Sequence, residues 1–205
     1  MQKVLQSSLF QFIIVLVLIL SLVALGPQVK FLGSNVRLVY LHGAWVLTAE
    51  VAFLAAALTG LAALLARKPS LHTWSRALGL TGTLFWVTYL PLSLLAMQTN
   101  WNGLFLAEPR FRLALIFAVT AVLLQIGLWL FNLSWLTSTS NLVFFIAMRV
   151  AFSTTTNIMH PPPSPIFNSG DWRLISYFVG LNLLTWVAAW VVCLSLIKII
   201  SKNHP

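Results

Sequence analysis

Apolar residues in this chain fall into long continuous runs, not into alternating or heptad patterns. Six such runs are separated by short polar stretches: residues 9–26, 38–65, 78–97, 113–131, 142–160 and 174–200. Each approaches or exceeds the roughly 20 apolar residues that carry a helix across a bilayer. A transmembrane barrel would instead show alternating segments of about ten residues. The pattern therefore predicts an all-α polytopic membrane protein, with six transmembrane helices in a single domain over residues 1–205. Pro91 lies inside the third run and predicts a kink there. The first run has a rival reading as a signal peptide, with Lys3 before it and Val23-Ala24-Leu25 near its end. A signal core is only about 7–15 residues long, so a retained span is expected.

Composition narrows the class. Of 205 residues, 60% are hydrophobic and 7% charged, where soluble domains carry about 25% charged residues. Twelve Lys and Arg stand against three acids, Glu50, Glu108 and Asp171, for a net charge of +9. The basic residues are scattered through short loops and form no run, which argues against nucleic acid as a partner. They suit topology signals and an anionic ligand better.

An even number of spans puts both termini on one side. With that side cytoplasmic, it carries Lys3, Arg67, Lys68, Arg76, Lys198 and Lys202, and the outer side carries Lys30, Arg37, Arg110, Arg112 and Arg173. The Arg67-Lys68 pair with Arg76 in one short loop favours this orientation. Five outer basic residues exceed what topology alone would favour. Cys193 is the sole cysteine, so an intrachain disulfide, a CxxC pair and a thiolate zinc site are excluded. There is also no nucleophile–base pair, phosphate loop or hydrolase motif, and the chain is not expected to be an enzyme.

Polar residues within the apolar runs carry the remaining information. His42 lies about one turn into the second run. His160 closes the fifth, just before Pro161-Pro162-Pro163. A residue before proline is biased away from helix, so helix five is expected to end at His160. Both imidazoles then fall near the outer boundary. Each alone reads as an interfacial histidine bonded to a carbonyl or to lipid. As a pair on two helices they can ligate a haem iron from both faces.

Glu50 lies eight residues inward from His42, roughly 12 Å, and Arg149 eleven residues before His160, roughly 16 Å. The similar depths predict an ion pair between helices two and five, since intramembrane charges normally face the bundle interior and pair. It acts either as a clamp between the two histidine helices or as part of a proton or substrate relay. A small transporter built around this pair is the reading that the relay would imply. Small residues at Ala52, Ala56 and Gly60 allow close helix approach. Trp74, Trp101, Trp135 and Trp172 sit at run boundaries, where aromatic belts are expected.

Three stretches resemble the CcmC-type haem-handling proteins of cytochrome c maturation. Arg37-Leu-Val-Tyr-Leu-His42-Gly-Ala-Trp45 is similar to the start of that family's second span. Asn157-Ile-Met-His160-Pro161 resembles the segment bearing its second histidine. Trp101-Asn-Gly-Leu-Phe-Leu-Ala-Glu108-Pro-Arg110 occupies the place of its Trp-rich WWD loop. In that loop Glu108 stands where Asp is expected, and Leu104 or Phe105 and Ala107 replace the inner tryptophans.

The resemblance implies non-covalent haem b held at the extracytoplasmic face, with His42 and His160 as axial ligands of the iron. Trp101 and Phe105 would form an aromatic floor, with Glu108 beside them. Arg110 and Arg112, with Arg37 or Arg173, would neutralise the propionates. It implies a multi-pass protein of a bacterial-type inner membrane that presents haem to a chaperone beside ABC-type transporter subunits. The alternative is a divergent member acting as a structural or accessory subunit of a larger membrane complex, without haem handling.

Overall fold

The computed structural model describes residues 2–156 and 165–203. Helices account for nearly all of them, and no strand occurs among them: α1 (Gln2–Ala24), α2 (Val36–Ala66), α3 (Pro69–Trp101), α4 (Pro109–Phe131), α5 (Ser134–Thr154) and α6 (Trp172–Asn203). All six are long and apolar enough to cross a membrane. Both described ends of the chain lie at the same end of the bundle, together with the turns at 67–68 and 132–133. The connections 25–35 and 102–108, and the described residues 155–156 and 165–171 between α5 and α6, lie at the other, here called the His42 end.

α2 and α3 form the centre. Their mutual packing is the most extensive in the molecule, and each also packs on α5 and α6. α4 rests on α3 and α5 only, and α1 rests chiefly on α6. The small residues of α2 explain its position. Ala52, Ala56 and Gly60 are buried, and a Cβ on Gly60 would stand 2.8 Å from the Ser138 carbonyl oxygen and 2.9 Å from Ser75 Oγ. Ser75 Oγ donates to the Ala56 carbonyl at 2.8 Å. Glycine and alanine thus let α3 and α5 approach the α2 backbone. Gly82 does the same on α3, where an added Cβ would meet the Phe53 ring at 2.6 Å.

Several helix limits differ from those expected. α3 begins at Pro69 and α4 at Pro109, each with proline in the first turn, where a missing N–H costs nothing. α3 runs through Pro91 as one assigned helix. α5 begins at Ser134, eight residues before the apolar run at 142. Its polar first turns hide their hydroxyls: Thr137 and Thr139 donate to the carbonyls of Leu133 and Trp135, and Ser138 pairs with His72.

α5 also ends earlier, at Thr154, not at residue 160. There the hydroxyls of Ser153, Thr154 and Thr155 donate to the carbonyls of Val150 and Ala151, and Thr155 turns to an extended backbone. Such side-chain bonds compete with helix continuation. His160 and the proline run lie outside the described residues.

Candidate functional site at the His42 end

Four helices bring titratable side chains together in the His42 half of the bundle. His42 occupies the second turn of α2 and is half-buried. Its ring centroid lies 5.5 Å from that of Tyr89 on α3. One turn before Tyr89, Trp86 is fully buried and its indole donates to the Ala114 carbonyl of α4 at 3.0 Å. Trp86 meets Tyr89 edge-on at 5.0 Å, Phe152 at 5.7 Å and Phe53 at 6.1 Å. An aromatic spine therefore descends from His42 into the core. Trp45 forms a separate pair with Phe85, ring centroids 4.7 Å apart, with its indole donating to Thr88 Oγ1 at 2.9 Å.

Glu50 lies near the middle of α2, two turns beyond His42. Arg149 Nη1 of α5 stands 3.2 Å from Glu50 Oε2, with side-chain exposures of 52% and 28%. Tyr89 and Arg110 are both near enough to interact electrostatically with Glu50. The charge pair and the aromatic spine are thus one assembly, where the sequence suggested two separate sites. Arg110 joins them from the first turn of α4.

The remaining expected ligands occupy the connection between α3 and α4. Trp101 ends α3 and is half-buried. Asn102 follows in the left-handed region at φ 55°, which turns the chain away. Phe105 is 41% exposed, between the half-exposed Leu104 and Leu106. Glu108 is buried, its N–H donating to the Phe105 carbonyl and its carbonyl accepting from Arg112 N–H, both at 3.0 Å. Its carboxylate precedes the first turn of α4, where the helix dipole favours negative charge.

The four arginines considered for an anionic ligand separate sharply. Arg37 Nε donates to the Gly26 carbonyl at 3.1 Å, and Arg112 Nε to the Leu106 carbonyl at 3.2 Å. Arg173 pairs with Asp171 at 3.4 Å. Asp171 also accepts Arg173 N–H at 2.9 Å, and these bonds hold its carboxyl below the usual carboxylate range. Arg110 is different: its Nε is buried with no hydrogen-bond partner among the described residues. A buried donor left unpaired is costly, so Arg110 keeps one donor open beside its electrostatic interaction with Glu50. His160, the second expected iron ligand, lies outside the described residues.

Sequence reasoning missed Tyr89 and Trp86, although their spacing of three residues puts them on one face of α3. It also left His72 aside. His72 lies in the first turn of α3, with Nδ1 2.7 Å from Ser138 Oγ. Comparison of the chain with family models, curated proteins and solved structures returns no match.

Proposed function

We propose that this chain is a haem-binding membrane protein of cytochrome c biogenesis. It holds haem b at the His42 end and hands it to a chaperone beside ABC-type transporter subunits. In this reading the chain termini face the cytoplasm of a bacterial-type cell and the His42 end faces outward. His42 supplies an axial nitrogen to the iron, His160 the second by the family resemblance, and Trp101 and Phe105 an apolar floor.

The observation that carries the reading is Arg110. Its Nε, buried and without a hydrogen-bond partner among the described residues, lies in the same half of the bundle as a half-buried imidazole and an aromatic spine. Haem is an apolar macrocycle with two carboxylates and an iron that takes imidazole ligands, and these residues fit those three needs. When bound, haem would bring a redox-active iron; the chain's own part is to bind it, orient it and screen it from water.

The half-exposed apolar tip at Leu104, Phe105 and Leu106 favours a second reading, an accessory subunit that docks this tip on a partner chain. The test is the optical spectrum of the detergent-purified protein, oxidised and reduced, with a pyridine haemochrome assay. The expected result is a b-type signal whose stoichiometry falls at least about tenfold in His42→Ala and a few-fold in Arg110→Gln, as loss of a coordinate bond and of a charge-assisted bond require. No signal in the native protein supplied with haem would overturn haem binding and leave the accessory reading.

A further inference from the structure

The opposite end of the bundle contains a cavity that the haem reading does not use. It measures about 240 Å³ and lies between the start of α3, the α4–α5 turn and the last turns of α6. His72, Thr73 and Arg76 line it from α3, Ser134 and Thr137 from α5, and Ser201 from α6. No acid lines it. The described acids lie elsewhere: Glu108 and Asp171 at the far end of the bundle, Glu50 in the middle of α2.

Two contacts fix its donors. Arg76 Nη1 donates to Asn132 Oδ1 at 3.0 Å, which anchors the guanidinium beside the α4–α5 turn. Ser138 Oγ lies 2.7 Å from His72 Nδ1. Whichever of the two donates in this contact, the pair keeps one further donor, on Nε2 or on the serine hydroxyl. The first turn of α5 also has no side-chain cap, so its N–H groups add to the positive potential.

A second cavity, of about 250 Å³, adjoins the first through Arg76. Leu80, Ile126, Leu128 and Trp129 line it, with Gln125. It runs deeper along α3 and α4, and Trp129 is 68% exposed on the outer surface. The helix arrangement accounts for it. α4 and α6 both pack on α3 but not on each other among the described residues. A furrow floored by α3 remains, open to the surrounding acyl chains. Arg76 stands where the polar and apolar parts meet, with its stem along the apolar wall and its head in the polar cavity.

We propose that this furrow binds an anionic phospholipid. The phosphate sits in the polar cavity on Arg76, His72 and the hydroxyls, and one acyl chain lies along Leu80, Ile126 and Trp129. Charge complementarity selects an anionic headgroup, and the continuous apolar groove selects a lipid over free phosphate.

The test is native mass spectrometry of the purified full-length protein in detergent. It is titrated separately with phosphatidylglycerol, phosphatidylcholine and inorganic phosphate. The native protein is expected to retain phosphatidylglycerol about tenfold better than phosphatidylcholine, and inorganic phosphate not at all. Arg76→Gln is expected to lower phosphatidylglycerol binding about tenfold, the scale of a lost charge-assisted bond. Arg67→Gln, a nearby basic residue outside both cavities, should change it less than about twofold. Trp129→Ala should weaken it a few-fold.

Equal retention of the two lipids by the native protein overturns the proposal without recourse to any variant. So does unchanged binding in a folded Arg76→Gln, or binding of inorganic phosphate as tight as that of the lipid. Neither haem content nor His42 enters these measurements, so the result is independent of the proposed function.

Discussion

At the end holding both described chain ends, two-residue turns at 67–68 and 132–133 join neighbouring helices, each closed by a left-handed residue, Arg67 and Asn132. Buried polar side chains there are bonded to one another and to backbone. Asn141 Nδ2 donates to Ser75 O at 2.9 Å and to Ser75 Oγ at 3.1 Å, Gln125 reaches Asn141 Oδ1 at 3.4 Å, and His72 meets Ser138. The His42 end has long connections, a half-exposed apolar tip at 104–106, and an arginine whose Nε is buried without a described partner. One end uses its polar groups to hold α2, α3, α4 and α5 together. The other leaves one buried donor without a described partner, which costs stability.

The largest test of this contrast lies between the two ends. Arg149→Gln removes the nearer cation from the Glu50 carboxylate, leaving only Arg110, and should cost about 3 kcal/mol, whereas Glu50→Gln,Arg149→Gln together should cost less than that single change. Unfolding in one fixed detergent or lipid mixture measures both. Equal losses would remove the pair as a clamp between α2 and α5.

Asn141→Leu at the networked end leaves the Ser75 carbonyl and Gln125 without their partner and should cost about 2–3 kcal/mol. Gly60→Ala forces the Ser138 carbonyl aside and should cost about 2 kcal/mol. Gly127→Ala on α4, where an added Cβ meets nothing within 4 Å, should be neutral or slightly stabilising. Thermal unfolding of the three variants would rank them.

At the His42 end the cost should be smaller. Arg110→Met removes a buried donor without a described partner, but also a cation near Glu50, so the two effects should leave stability within about 1 kcal/mol of the native protein, while under the proposed function haem retention should fall. A loss of stability comparable to that of Asn141→Leu would erase the contrast.

The smallest effect belongs to Asp171. Its carboxyl titrates below the usual range, so the stability it contributes is present above the ordinary carboxylate pKa of about 4 and is lost as pH falls through its lowered value. Asp171→Asn should slightly lower the unfolding temperature at pH 7 and match the native protein at pH 2.

The six spans were legible because an uninterrupted apolar run of roughly 20 residues suits a bilayer crossing and little else. The Glu50–Arg149 contact was legible because charges within apolar runs seek each other. The limits of α5 were not. Residues 134–140, Ser-Trp-Leu-Thr-Ser-Thr-Ser, read as a loop, since sequence does not show that hydroxyls can be satisfied by carbonyls one turn back and by a histidine from α3. At the other end the hydroxyls of Ser153, Thr154 and Thr155 bond the last carbonyls where the helix stops, before the proline run that seemed to set its limit. Among the site residues, His42 stood out as a histidine in an apolar run. Tyr89 and Trp86 did not, because aromatic residues in a span read as ordinary filling. Nor could sequence separate Arg110 from Arg37, Arg112 and Arg173. That distinction depends on which carbonyls and carboxylates lie within reach of each guanidinium.

α1 has its own consequence for assembly. Its main partner is α6, and Tyr177 of α6 donates to the Leu22 carbonyl across 155 positions of chain. α2 and α3, joined by a two-residue turn, can pair while the ribosome is still working. α1 must wait in the bilayer through the synthesis of four further helices before α6 arrives to close the bundle around it. Until then its exposed apolar face is the part of the nascent protein most open to a wrong neighbour.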